Sequence, residues 1–126
     1  MKALLINVDE GHYKEVDIEK DWKELAKACN CNYVEHIHMM IGHKPFTIIC
    51  DEDATLKDVQ KVSAVTSEGE IALVGNLIIT DLSLGDEFED LSEHNCEYLL
   101  NHITFVTSKE DSSMWPILLD VGPLKK

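Results

Sequence analysis

The chain has 126 residues, 44% of them hydrophobic and 28% charged, and this balance argues against general disorder. The length suits a single domain covering residues 1–126. Eleven lysines stand against 24 acidic residues with no arginine, for a formal net charge of −13, so direct binding of nucleic acid or of an anionic membrane is disfavoured.

The first apolar segment is far shorter than the hydrophobic region of a signal peptide, and no small-residue cleavage site follows it. We therefore expect a cytoplasmic protein. In a reducing compartment the four cysteines are expected to be buried thiols, whereas an oxidising compartment would allow two disulfides. These residues are Cys29, Cys31, Cys50 and Cys96.

Two strand-like segments open the chain. Residues 2–8 are apolar and residues 13–18 alternate, which predicts a hairpin whose turn uses Gly11. Asp21 followed by Glu24 has the pattern of a helix N-cap with its partner, so a helix is predicted to reach residue 28, with Trp22 on its apolar side.

The next part of the chain predicts a second hairpin. Residues 33–40 and 46–50 are its strands, joined by the turn at residues 42–45. Thr55 is predicted to cap a short helix through about residue 62, and residues 63–69 are predicted to be a polar linker.

Residues 71–81 are the longest apolar run after the N-terminus and predict one buried strand, in which Gly75 and Asn76 form a bulge or a close approach of backbones. Ser92 is predicted to cap a last helix that buries Cys96, Leu99, Leu100 and Ile103.

Residues 104–107 and 117–121 are weaker strand candidates, and two prolines make residues 108–126 an irregular tail or an edge strand. The whole pattern predicts an α+β fold. We expect a mostly antiparallel, mixed sheet with two or three helices packed on one face.

Five short motifs, taken in order, resemble one family. They are the opening Met-Lys-Ala-Leu-Leu-Ile-Asn, residues 31–37, the Gly42-His43 turn, the acidic turn at Asp51-Glu52, and residues 74–79. Together they resemble the family known as domain of unknown function 3846, over about residues 1–90.

The resemblance implies a small protein of bacteriophages, plasmids and other mobile elements, and it implies no particular reaction. The chain departs from the family pattern at two turns. Ile41 stands where an aspartate usually precedes the Gly-His pair, and Asp53-Ala54 lacks the usual glycine. Both departures weaken the case for a shared active site at these turns.

Three histidines are candidate ligands. His36 and His38 are two apart on a predicted strand, so both imidazoles point to one face, and His43 could approach across the hairpin. The alternative is an ordinary half-buried face that carries two histidines. Because no second ligand pair has zinc-finger spacing, we predict no metal site. We also predict no cofactor.

Catalytic constellations are incomplete. Cys96 could pair with His94 or His102, but it lies on the apolar side of its helix, where inert buried thiols are common. The run of carboxylates at residues 51–53 lacks the order of a calcium loop and is predicted to be solvated loop charge. We predict no catalytic residue.

The acidic patterning is the remaining signal. Nine carboxylates and no lysine occur between Val62 and Ser108, and a patch of one sign attracts basic partners. Solubility alone is the alternative explanation. The predicted partner-binding residues are Asp86, Glu87, Glu89, Asp90, Glu93 and Glu97.

Three functions are consistent with these patterns. The first is binding to the basic surface of a host factor, as an anti-defence protein or DNA mimic. The second is capture of a small molecule such as a nucleotide signal, although phosphate recognition has only scattered lysines to use. The third is an enzyme, for which no complete set of residues is visible. A homo-oligomer is left open.

Overall fold

The computed structural model describes residues 1–54, 61–85 and 87–124. The helix predicted to begin at Thr55 lies outside these residues. Within them the chain is an α+β fold dominated by strands, with two helices. The first elements are β1 (Lys2–Asn7), β2 (His12–Asp17), α1 (Trp22–Ala28), β3 (Val34–Ile41), β4 (Lys44–Asp51) and β5 (Val62–Val65). The later elements are β6 (Ile71–Val74), β7 (Leu77–Asp81), α2 (Glu93–Leu100), β8 (Ile103–Thr107), β9 (Met114–Leu118) and β10 (Val121–Pro123).

The strands form two sheets where the sequence predicted one. The larger sheet has the order β10-β3-β4-β7-β1-β2, with antiparallel neighbours throughout. The smaller has the order β6-β5-β9-β8, and its β5–β9 contact is parallel. The mostly antiparallel, mixed character of the prediction is therefore correct.

The two helices cover opposite faces of the larger sheet, so the prediction that helices pack on one face was wrong. On one face, Leu25 of α1 packs with Leu5 and Ile78. On the other, Leu99 of α2 packs with Leu4 and the smaller sheet. The physical reason is that β1, β4 and β7 are apolar at consecutive positions, and such strands need cover on both faces.

The predicted strand at residues 71–81 is in fact two strands, one in each sheet. Gly75 separates them with a φ of 81°, which favours glycine, and its N–H donates to the carbonyl of Lys61. Asn76 is buried and its Oδ1 accepts the N–H of Val8 at 2.9 Å. This dipeptide is therefore a crossing between sheets and not a bulge.

Residues 63–69 are not a linker, because β5 begins at Val62 and buries Ser63 and Ala64 completely. A four-residue strand made partly of small residues has too weak a pattern to be recognised locally.

The C-terminal strands join both sheets. Val121 of β10 pairs with Ile41, and Pro123 lies in this edge strand of the larger sheet. Leu118 of β9 is fully buried in the core that the two sheets share. Among the described residues, no helix has the length and apolar character that crossing a membrane requires.

Candidate functional site

The predicted acidic residues lie on α2 and on the loop that connects β7 to α2. Glu87, Glu89 and Asp90 are exposed on the loop, and Glu93 and Glu97 are exposed on α2. Asp86 lies outside the described residues. Asp81 does not belong to this surface, although it falls in the lysine-free stretch.

Asp81 instead fixes the start of α2. Its Oδ1 accepts the side-chain amide of Asn95 at 2.9 Å and the N–H of Ser92 at 3.3 Å. Ser92 caps the helix, as predicted, by accepting the N–H of Asn95. The helix orientation, and with it the direction of Glu93 and Glu97, is therefore tied to the end of β7.

Contacts with other elements anchor the described part of the loop. The N–H of Ser83 donates to the buried hydroxyl of Thr47 at 2.9 Å. Phe88 packs edge-on against Trp22, with ring centroids 5.7 Å apart. Asp90 accepts the N–H of Lys2 at 3.0 Å. The last of these contacts places the Asp90 carboxylate at the start of β1.

Two further carboxylates join this region from β2. The thiol of Cys96 donates to Glu15 at 3.0 Å, which brings β2 beside α2. Glu15, Asp17 and Glu93 line one cleft of about 290 Å³ together with Lys2. We call Glu15, Asp17, Glu87, Glu89, Asp90, Glu93 and Glu97 the acidic surface. Sequence reasoning missed the two residues of β2, because alternation places them on one face without indicating which helix covers it.

The acidic surface is neutralised very little from within the chain. In the part of the chain that the structure describes, Asp17 pairs with the N-terminal ammonium at 3.0 Å, and the other ion pair joins His12 and Glu10. Neither involves a lysine. The charge on α2 and on its loop is thus left to solvent or to a partner.

Cys96 is not placed to be a nucleophile. Its thiol donates to Glu15, while the Nδ1–H of His102 donates to the carbonyl of Tyr98, so neither of these hydrogen bonds joins Cys96 to a candidate histidine. Burial, followed by the bond to Glu15, raises the pKa of Cys96 to about 12. The thiol is therefore neutral at ordinary pH, which is the unreactive form.

A pH dependence of stability follows from these thiols. Burial also raises the pKa of Cys50 to about 12 and raises the pKa of Cys29. A thiol whose pKa is higher in the folded state stabilises the fold below its unfolded pKa, and this contribution falls as pH rises from about 9 toward 12. Urea unfolding between pH 8 and pH 10.5 should show this loss. Cys96→Ala should flatten the slope, and an unchanged slope would contradict the role of that thiol.

The candidate histidines fall into two places. His36 and His38 do share a face of β3, with ring centroids 5.9 Å apart, as their spacing predicted. His36 packs on Phe88 and Trp22, while His38 contacts the hydroxyl of Thr47 at 3.1 Å.

His43 is not near that pair. Its ring lies against Tyr98 of α2 on the other side of the larger sheet, with centroids 5.3 Å apart. No group of three potential metal ligands is found among the described residues. The structure does not bring the three histidines together.

The Gly42-His43 turn is a docking point for α2. The hydroxyl of Tyr98 donates to the carbonyl of Ile41 at 2.8 Å and accepts the N–H of His43 at 3.1 Å. Gly42 has a φ of 63°, and a Cβ there would collide with the Tyr98 hydroxyl and meet His102 at 3.0 Å. Glycine is required at this turn by the helix that packs on it.

Asp51 is also structural rather than loop charge. It is the last residue of β4, it is buried, and its Oδ1 accepts the N–H of Asp53 at 2.9 Å. Glu52 and Asp53 are exposed, as predicted for that turn.

An acidic α+β protein with helices on both faces of its main sheet is the class that these features define. The chain belongs to the family described as Domain of unknown function (DUF3846), whose family model matches residues 1–104. The match extends beyond the resemblance seen in the motifs and includes α2 with Tyr98 and His102. No curated protein and no solved structure matches the chain.

Proposed function

We propose that the protein acts by binding, and that its acidic surface docks on a basic surface of another protein, of the kind that holds nucleic acid. One observation carries this proposal. Carboxylates from β2, from the loop after β7 and from α2 lie around one region, and no lysine is paired with any of them in the described part of the chain.

A surface whose charge is mostly of one sign has a physical consequence. Its field steers basic partners toward the surface and raises association rates by a factor of about 10 to 1,000. A basic site for nucleic acid has the complementary field, because it exists to neutralise phosphates. The resemblance to proteins of phages and plasmids motivates a cytoplasmic host factor, including one that acts in defence, as the partner.

Glu93 and Glu97 add a second argument. They lie one turn apart on α2, where like charges destabilise an isolated helix by a few tenths of a kcal/mol. Glu93 is favoured at the helix N-terminus, but Glu97 gains nothing from the helix dipole there. Their arrangement suits a partner better than it suits the helix itself.

The test compares two variants of equal charge. One carries Glu89→Gln, Glu93→Gln and Glu97→Gln on the acidic surface. The matched control carries Glu68→Gln, Glu70→Gln and Glu110→Gln at exposed positions elsewhere. Host proteins that the immobilised, unmodified protein retains from a nuclease-treated extract are identified and purified. Calorimetry then measures their affinity for both variants.

The acidic-surface variant is expected to bind about tenfold more weakly than the control, from about 0.5 kcal/mol for each exposed charge. Binding should weaken with added salt, and duplex DNA should compete with the protein for the partner. Salt-insensitive binding, or equal losses in both variants, would contradict the proposal.

A further inference from the structure

A second cleft lies between the start of α1 and the open end of the β3–β4 hairpin. It is a cleft of about 270 Å³ lined by Trp22, Lys23, Asn32, Tyr33, Val34 and Glu52. Nothing in the proposed function uses it. Its walls combine two exposed aromatic residues, Trp22 and Tyr33, with the carboxylate of Glu52.

The aromatic walls are unusually open to solvent. Trp22 is 52% exposed and Tyr33 is 67% exposed. The exposure of Trp22 corrects the prediction that it lies on the buried side of α1. Isolated exposed aromatic residues are common on proteins, but two of them lining one cleft leave a large apolar area uncovered.

The indole of Trp22 is held in place from behind. Phe88 contacts it edge-on at 5.7 Å between centroids, and His36 contacts it at 6.1 Å. Its backbone is fixed as well, because Asp21 caps α1 by accepting the N–H of Lys23 at 3.0 Å. One wall of the cleft is therefore preorganised, which lowers the entropic cost of binding.

The second wall and the carboxylate are joined by a backbone hydrogen bond. The N–H of Glu52 donates to the carbonyl of Tyr33 at 3.0 Å, just beyond the last pair of the β3–β4 ladder, Val34 with Asp51. The phenol ring and the carboxylate thus come from residues that lie side by side. Val34 adds an apolar residue to the lining.

This chemistry favours a planar cation. The faces of indole and phenol rings attract cations within about 6 Å, and arginine is the side chain found there most often. A guanidinium group stacks on aromatic rings and donates two parallel hydrogen bonds to a carboxylate. The net charge of −13 attracts cations and repels anions such as nucleotides.

Lys23 carries a positive charge beside the cleft, which opposes the binding of a cation. Of the described residues that line the cleft, it is the one cation, and it is exposed. Its long side chain can turn its ammonium group to water when another cation enters. An anionic ligand, by contrast, would be attracted by Lys23 and repelled by Glu52, the two charged residues in the described part of the lining.

We propose that this cleft binds an arginine side chain, stacked between Trp22 and Tyr33 and paired with Glu52. The chain contains no arginine, so a second copy of the protein cannot supply it. The ligand is therefore an arginine-bearing segment of a different protein. The cleft shares no lining residue with the acidic surface, although Phe88, between Glu87 and Glu89, packs on Trp22. Binding in the cleft does not depend on the acidic surface having a partner.

The test uses the intact protein and three short peptides that are neutral except at one central residue. That residue is arginine, its uncharged isostere citrulline, or lysine. Calorimetry at about 0.3 M salt restricts long-range attraction to about 6 Å. The arginine peptide is expected to bind at least about tenfold more tightly than the citrulline peptide, and several-fold more tightly than the lysine peptide.

Variants locate the binding. Trp22→Ala and, independently, Tyr33→Ala should each weaken the arginine peptide about tenfold, and Glu52→Gln should weaken it several-fold. Lys23→Ala should strengthen it. The control is Phe105→Ala, which removes a 44% exposed aromatic ring on β8 and should change nothing.

Two results would overturn the proposal: equal binding of the arginine and citrulline peptides, or equal losses from Trp22→Ala and Phe105→Ala. The variant with Glu89→Gln, Glu93→Gln and Glu97→Gln separates this site from the proposed function. It should bind the arginine peptide within a factor of about two of the unmodified protein at this salt concentration.

Discussion

Asn76→Ala is expected to lower the free energy of unfolding by about 2–3 kcal/mol. The side chain is buried where the chain crosses between sheets, and its Oδ1 accepts the N–H of Val8 at 2.9 Å and that of Asp9 at 3.4 Å. Its amide donates to the carbonyl of Ala28 at 3.4 Å. Alanine leaves these groups without their partner inside the protein, and urea unfolding measures the loss.

The matched control is Asn101→Ala, which removes the same amide from the exposed end of α2. It is expected to change the unfolding free energy by less than about 0.5 kcal/mol. A loss below about 1 kcal/mol for Asn76→Ala would show that solvent reaches the crossing and replaces the amide.

Gly42→Ala is expected to destabilise the protein by about 3 kcal/mol, for two reasons. The backbone has a φ of 63°, which costs about 1–2 kcal/mol for a residue with a Cβ. The new methyl group also collides with the hydroxyl of Tyr98. Forced overlap in a packed site costs about 1–3 kcal/mol. Thermal and urea unfolding measure the total loss of stability.

A double-mutant cycle separates the two reasons. Tyr98→Phe alone removes the hydrogen bonds to Ile41 and His43 and should cost about 1–2 kcal/mol. Combined with Gly42→Ala, it also removes the atom that the methyl group would meet. The double variant should therefore be at least about 1 kcal/mol more stable than additivity predicts. Strict additivity would mean that α2 moves away from the turn.

Features that depend on neighbouring residues could be predicted from the sequence. Asp21 and Ser92 cap their helices as expected, because a cap needs only a side-chain oxygen within three residues of a free N–H. Gly11 has a φ of 80° in the first hairpin turn for an equally local reason.

Features that depend on distant pairing could not be predicted. The apolar residues on both sides of Gly75 are alike, and only their partners, β5 on one side and β1 with β4 on the other, separate them into two sheets. Similarly, nothing in the sequence distinguishes Leu4 from Leu5, yet their side chains belong to different hydrophobic clusters.

The same limit applies to the candidate site. The sequence showed the cluster of carboxylates near α2. It could not show that Glu15 joins them, because that depends on the contact between Cys96 and β2. The spacing of His36 and His38 indicated a shared face, but not that Trp22 and Phe88 would cover it. The spacing of residues indicates which side of a strand or helix they share, whereas a site depends on which strands and helices pack together.

The strand order of the larger sheet has a kinetic consequence. The hairpins β1–β2 and β3–β4 need only nearby residues and can each form within about 10 μs. In the larger sheet β7 lies between them and pairs Ile79 with both Leu4 and Ile48. Such non-local pairing slows folding toward the millisecond-to-second range. As the chain is synthesised, the edges of β1 and β4 that pair with β7 therefore stay unpaired by it until residues 77–81 are made.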